Sequence, residues 1–150
     1  MALIQLDDGG TITADSEALP AANAFDENET TRWSSSGAAY PHWIKYDFVN
    51  TQNGKQIVQQ AKVLNYIDAN VDPKAFTVAG SNNDSDWTTL HTGEFAQSSG
   101  AWQTFTFSNQ TVYRYIRIQV TTSWVAGTYF SPYEIQLWGV LKKAGMFMTM

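Results

Sequence analysis

The 150 residues carry 9 Lys and Arg against 14 Asp and Glu, a net charge of −5, so the dense positive surface that tracks a phosphate backbone is missing and nucleic acid is not an expected partner. With no cysteine, the chain can build no disulfide framework, thiolate zinc site or thiol nucleophile. Hydrophobic residues make up 43% and no run approaches the ~20 apolar residues that span a bilayer, so one packed, non-spanning domain is expected.

The N-terminus, Ala2 to Leu6, reads as a short strand that ends in the turn Asp7-Asp8-Gly9-Gly10. It has neither a basic start nor a long apolar stretch, so no signal peptide is expected in this chain. Leu19 to Ala24 fits one helical turn, with Pro20 tolerated near its start. Next comes Asn23-Ala24-Phe25-Asp26-Glu27-Asn28-Glu29-Thr30-Thr31-Arg32-Trp33-Ser34, which is too polar for a strand or a buried helix. Oxygen-bearing side chains at such close spacing suit a hard cation. They equally suit a surface turn whose Asn and Asp bond their own backbone.

Trp43 to Val49 reads as the first core strand, with Trp43 in the core. Ile57 to Ile67 follows, with a bend or bulge expected at Gln59-Gln60. Asp68 to Pro73 is a loop, Ala75 to Ala79 a strand, and Gly80 to Asp86 a turn into Trp87 to His91. Gly100 to Phe107 alternates, with Trp102, Thr104 and Thr106 on one face and Phe105 and Phe107 on the other. Val112 to Thr122 is expected to be the longest strand, with Ile116, Ile118 and Val120 inward and Tyr113, Tyr115 and Arg117 on the other side. A loop from Ser123 to Pro132 leads to a closing strand, Tyr133 to Leu141. Residues 142–150 form a Met-rich tail, read as disordered, with an oligomer contact or docking tag as the alternatives. Many short strands between turns, without helical periodicity, predict an all-β, single-domain antiparallel β-sandwich over residues 1–141.

Catalysis finds little to work with. His42 and His91 are the two histidines, and no Gly-x-Ser-x-Gly elbow accompanies them. His91 reads as structural, and His42, placed in a loop beside Tyr40, as at best a ligand contact. Asp7, Asp8, Asp72, Asp84 and Asp86 fall in turns, where a solvated carboxylate is the plain reading. A glycosidase pair is therefore not expected.

Several blocks share one order. Ala24-Phe25-Asp26-x-Asn28-x-x-Thr31-Arg32-Trp33-x-Ser35 is followed by Pro41-x-Trp43-Ile44-x-x-Asp47-Phe48 and Phe76-x-Val78-x-Gly80-Ser81-Asn82. Trp87-Thr88-Thr89-Leu90, Arg114-Tyr115-Ile116-Arg117-Ile118 and Tyr133-Glu134-Ile135-x-Leu137-x-Gly139 complete the series. Together they resemble the discoidin, or coagulation factor type C, domain family and its carbohydrate-binding relatives, the family thirty-two carbohydrate-binding modules. The resemblance implies the jelly-roll form of the sandwich, no catalysis, and a structural calcium. By motif, the side chains of Asp26, Thr31 and Glu134 and the backbone carbonyls of Asn23, Asn28 and Tyr133 would hold that ion. Glu27 stands where the family usually has glycine; if the position needs positive φ, Glu27 costs about 1 kcal/mol or more.

The loops of the family's binding face map to Ser36–His42, Asp68–Pro73 and Ser123–Phe130, and they offer Tyr40, His42, Asp68, Asn70, Asp72, Trp124 and Tyr129. The arginine that galactose-binding relatives place in the second loop is missing here, with Lys74 the nearest cation, which puts a galactose preference in doubt. The resemblance implies a lectin-like module for a cell-surface glycan or polysaccharide, extracellular or on a virion surface. Its alternative is a virion appendage or decoration subunit that docks onto a viral or cell-surface protein, with an oligomer open in either case. The family's animal members often carry a terminal disulfide, and its absence here favours a microbial or viral source.

Overall fold

The structure is a computed structural model and describes residues 2–37, 39–51 and 54–140. The expectation for the tail, and for Leu141 as part of the last strand, falls outside these residues. Among the described residues nine strands form two antiparallel sheets: β1 (Ile4–Gln5), β2 (Thr11–Ala14), β3 (His42–Asp47), β4 (Ile57–Asn65), β5 (Ala75–Ser81), β6 (Thr88–Glu94), β7 (Gln103–Thr106), β8 (Tyr115–Val120) and β9 (Pro132–Val140). One sheet has the order β1-β9-β4-β7 and the other β2-β3-β8-β5-β6, the antiparallel sandwich that the sequence pattern implies. Two short 3-10 turns, Ala21–Phe25 and Phe48–Asn50, are the helical pieces among the described residues, and none is long and apolar enough to cross a membrane.

Alternation explains which residues meet between the sheets. Along β3, His42, Ile44 and Tyr46 are buried while Trp43, Lys45 and Asp47 look outward. Along β8, Ile116, Ile118 and Val120 face the same interior. Trp33, fully buried against Phe130 at 5.3 Å, is the large aromatic anchor of the core, with its indole N–H donated to the Ser16 carbonyl at 2.9 Å. Trp43 is therefore a correction. It lies on the outer face with the Lys45 ammonium 5.4 Å from its ring.

The bulge at Gln59 is present, between Val58 and Gln60. β8, expected to be the longest strand, has six residues against nine each for β4 and β9. Its start is cut because Tyr113 leaves the ladder to bridge Gln56 and turns into the core beneath Gly80, where any Cβ would sit 2.5 Å from the ring. Two turn carboxylates are corrected as well. Asp7 is buried and accepts the Leu137 N–H at 2.7 Å, so its carboxylate replaces a ladder carbonyl where β1 ends beside β9. Burial pushes its pKa up to about 6, against the pull of that N–H. Asp72 is also buried, for reasons that belong to the binding loops.

Candidate functional site

Two clusters draw residues from distant parts of the chain. The first lies where the Ala21–Phe25 turn runs into its loop. Asp26 accepts the Asn28 N–H at 3.0 Å through Oδ1, and through Oδ2 it accepts the Thr31 hydroxyl at 2.5 Å. That hydroxyl also reaches the Asn28 carbonyl at 3.2 Å, so the Asp26, Asn28 and Thr31 oxygens are held together. The chain turns at Glu27, whose φ of 58° is the left-handed conformation expected to cost a non-glycine residue. Asn23 ties the loop back by donating its side-chain N–H to the Arg32 carbonyl at 3.1 Å.

Glu134 comes to the same place from β9. It is 1% exposed, and neither carboxylate oxygen has a hydrogen-bond partner. Burial pushes its pKa up to about 8, reinforced by the negative Asp26 and Asp7 nearby and opposed in part by the Glu27 backbone N–H. A buried carboxylate with so little donor support is an expensive arrangement, and a cation there would offset it. Among the described residues no three His, Asp or Glu side chains form a metal cluster by themselves. A cation would therefore need hydroxyl and carbonyl oxygens as well. That donor set, all hard oxygens, suits calcium and excludes softer metals. The structure joins Asp26, Asn28, Thr31 and the charge of Glu134. For Asn23 it shows the side chain's bond to Arg32 and the backbone N–H on the Pro20 carbonyl, and for Tyr133 a ring packed edge-on against Tyr66. Beside this loop an acidic groove of about 520 Å³ opens between Asp7, Asp8, Asp26 and Glu27, floored by Phe25 and Tyr46.

The second cluster forms where three loops converge. The Tyr40 hydroxyl donates to the Tyr129 carbonyl at 3.1 Å, joining the first loop to the third. Gly127 passes so close to the second loop that any Cβ would lie 1.8 Å from the Asn70 carbonyl oxygen, so only glycine fits there. Asp68 accepts the Tyr66 hydroxyl at 2.9 Å and the Asn70 N–H at 2.7 Å, which closes the second loop and lowers the Asp68 pKa, the Asn70 bond being the largest cause. Between these loops lies a cleft of about 190 Å³ lined by Arg32, Ser34, Tyr66, Asp68, Asn70, Val71, Tyr129 and Ser131.

The seven residues expected on the binding face divide. Asp68, Asn70 and Tyr129 line the cleft, and Tyr40 braces it. His42 is a correction: it begins β3, is fully buried, and its Nδ1 lies 2.7 Å from Asp15 Oδ2. Asp72 is another. Its carboxylate accepts the Ser98 N–H at 3.0–3.1 Å, while its carbonyl accepts the Ser123 hydroxyl and the Trp124 N–H, both at 2.8 Å. It pins loops together from inside. Trp124, expected to have little cover, is half-buried, with its indole N–H on the Phe95 carbonyl at 3.0 Å and the Lys74 ammonium 4.3 Å from its ring centre. Lys74, the expected cation, thus covers Trp124 rather than the cleft.

Arg32 and Tyr66 line the cleft without having been expected there. The signal was the neighbour Trp33: with Trp33 turned into the core, an extended chain sends Arg32 the other way. The guanidinium carbon lies 4.0 Å from the centre of the Tyr66 ring.

A two-layer antiparallel sandwich with three loops gathered around a small polar cleft is an arrangement that can hold a small polar ligand. The chain belongs to the F5/8 type C domain family, whose model matches residues 10–135. Solved structures agree on the fold. A chitosan-binding module from the chitosanase/glucanase of Paenibacillus sp. IK-5 is 27% identical, with a TM-score of 0.72 over 90% of this chain and 98% of that one. The family 32 carbohydrate-binding module of Clostridium perfringens NanJ, determined with galactose, is 19% identical, with a TM-score of 0.77 over 92% of this chain and 100% of that one. The corresponding module of AlyQ, determined with 4,5-unsaturated mannuronic acid, is 24% identical, with a TM-score of 0.72 over 89% of this chain and 97% of that one. No curated protein sequence matches the chain.

Proposed function

We propose that this domain is a non-catalytic carbohydrate-binding module, that the cleft between the three loops receives the sugar, and that a calcium ion at Asp26, Asn28, Thr31 and Glu134 holds the fold together beside it. The observation that carries the sugar reading is the cleft itself. It combines a carboxylate, an amide, a guanidinium and two tyrosines in about 190 Å³, space for roughly one sugar ring. Hydroxyl groups need donors and acceptors at fixed positions, and an apolar sugar face needs a flat ring. Tyr129 is the free ring for that role, since Tyr66 already carries Arg32.

The observation that carries the calcium is Glu134, buried with both oxygens unpartnered beside the Asp26 loop. When bound, the ion would neutralise that carboxylate and join the loop after the first helical turn to the last strand. The ion is structural on this reading, since the sugar cleft draws on other side chains. Chitosan, galactose and an unsaturated mannuronic acid differ in charge, so the related modules support sugar binding in general while the cleft residues decide which sugar.

A glycan array on the chain in calcium-containing buffer, followed by calorimetry on its hits with Asn70→Ala and Tyr129→Ala, tests the reading. Hits weakened roughly tenfold or more by either substitution, without loss of fold, are expected. Hits that ignore both substitutions would place the binding face elsewhere, and an array without hits would remove the function. Incubation with the bound oligosaccharides should release no shorter product.

A further inference from the structure

We infer that the cleft selects an anionic sugar, a hexuronate, and that the Arg32 guanidinium receives its carboxylate. This rests on the reading that the cleft is the glycan site. Arg32 lines the cleft, its Nε is buried with no hydrogen-bond partner, and no ion pair forms on it among the described residues. The other cations are placed differently. Arg114 spends its fork on Asp47 at 3.0 and 3.1 Å, Arg117 lies over Trp87, and Lys74 over Trp124. The guanidinium carbon lies 4.0 Å over the centre of the Tyr66 ring, a contact that limits its movement and leaves N–H donors to meet a ligand.

A carboxylate matches a guanidinium's N–H donors with two parallel bonds, and a charge-assisted bond is roughly twice as strong as a neutral one. A neutral hydroxyl satisfies one donor and leaves the half-buried guanidinium with only the nearby Asp68 charge to offset it. Asp68, the nearby acid, does not fill this role. Its two oxygens are taken by the Tyr66 hydroxyl and the Asn70 N–H, and no Asp68 oxygen bonds Arg32. The negative charge of Asp68 offsets part of the Arg32 field, which suits a single carboxylate on the ligand better than a phosphate or sulfate cluster. Asn70 and Tyr129 remain to meet the sugar's hydroxyls and ring face.

The test is calorimetry of the full chain with a galacturonate trisaccharide, its methyl ester and galactotriose, at one fixed calcium and salt concentration. The free acid should bind, and methyl esterification, which removes the charge and keeps the hydroxyls, should weaken binding roughly tenfold or more. Arg32→Gln should cause a similar loss, Arg32→Lys a smaller one, and Lys55→Gln, an exposed cation away from the cleft, none. If Arg32→Gln unfolds, the Arg32→Lys and methyl-ester arms still decide. Equal binding of ester, neutral and acid sugars, sensitive to Tyr129→Ala, would overturn the anion selectivity and leave the cleft as the site. Acid-sugar binding unmoved by both Arg32→Gln and Tyr129→Ala would overturn the selectivity and the cleft together.

Discussion

Removing calcium should make stability fall as pH rises. Glu134 ionises near pH 4.5 in the unfolded chain but near 8 in the cation-free fold, because burial, with Asp26 and Asp7 close by, outweighs the pull of the Glu27 backbone N–H. A folded-state pKa raised in this way favours the protonated form. Its stabilising contribution is complete below about pH 4.5 and is lost as pH climbs through 8. Between pH 5 and 7 the slope approaches 1.4 kcal/mol per pH unit, about 3 kcal/mol in all. For a domain of this size that corresponds to roughly 6–12 °C in Tm. Asp7, raised to about 6, adds to the fall in the lower part of the window. Asp47 and Asp68, both lowered, act only at more acid pH, with the opposite sign. With saturating calcium the charged carboxylate becomes the bound form and the Glu134 part of the fall should disappear, leaving the smaller Asp7 part below about pH 6. Glu134→Gln should flatten the calcium-free profile, raise calcium-free stability at pH 7.5, and abolish the calcium response. Thermal melts of both proteins from pH 5 to 8, with calcium and with chelator, measure all of this. A chelated wild type whose melting temperature is level across that range would refute the reasoning, as would a Glu134→Gln protein still stabilised by calcium.

The two tryptophans of the opening blocks should separate in denaturant melts: Trp33→Ala costs about 3–5 kcal/mol, the range for emptying a buried aromatic site, whereas Trp43→Ala on the outer face costs about 1 kcal/mol or less. Equal costs would contradict the placement of Trp33 in the core and of Trp43 on the outer face. Gly127→Ala should weaken sugar affinity, because the new Cβ would meet the Asn70 carbonyl at 1.8 Å and force the second and third loops apart; calorimetry beside a melt reads both effects. Glu27→Gly should raise stability by about 0.5–1 kcal/mol by relieving the left-handed backbone at φ 58°, and a loss of stability would mean that the Glu27 side chain, bonded to Gln5 at 3.2 Å, outweighs the strain.

The oxygen-rich loop from Asn23 to Thr31 could be read from the chain because local spacing survives without coordinates, whereas Glu134 joined the proposed cation site only through the family resemblance. The sandwich could be read for the same reason, since alternation and turn residues are local. His42 shows where such reading fails. Its parity with Ile44 and Tyr46 marks the inner face, but read from sequence alone it falls in the loop that carries Tyr40, and the buried contact to Asp15 is 27 residues away. Trp124 failed in another way. Its local sequence is open, and its cover comes from Lys74 and Phe95 on neighbouring segments. Arg32 was hidden because its meaning depends on Tyr66, brought alongside only by the assembled sheets.

The strand that completes the chain's sandwich, β9, does not lie at an edge. It sits between β1 and β4, pairing Ile4 with Gly139 on one side and Val63 with Ile135 on the other. During synthesis, then, β4 waits with one hydrogen-bonding edge open until residues 132–140 emerge, and β1 has no sheet to join. Contacts that span nearly the whole chain close late and slowly, since the loop entropy precedes the reward. Glu134 travels on that same strand, so the cation loop cannot gain its buried carboxylate before the final zipper closes. An ion that prefers the closed arrangement would act on unfolding more than on folding, lengthening the lifetime of the finished sandwich while leaving the rate of its assembly nearly unchanged.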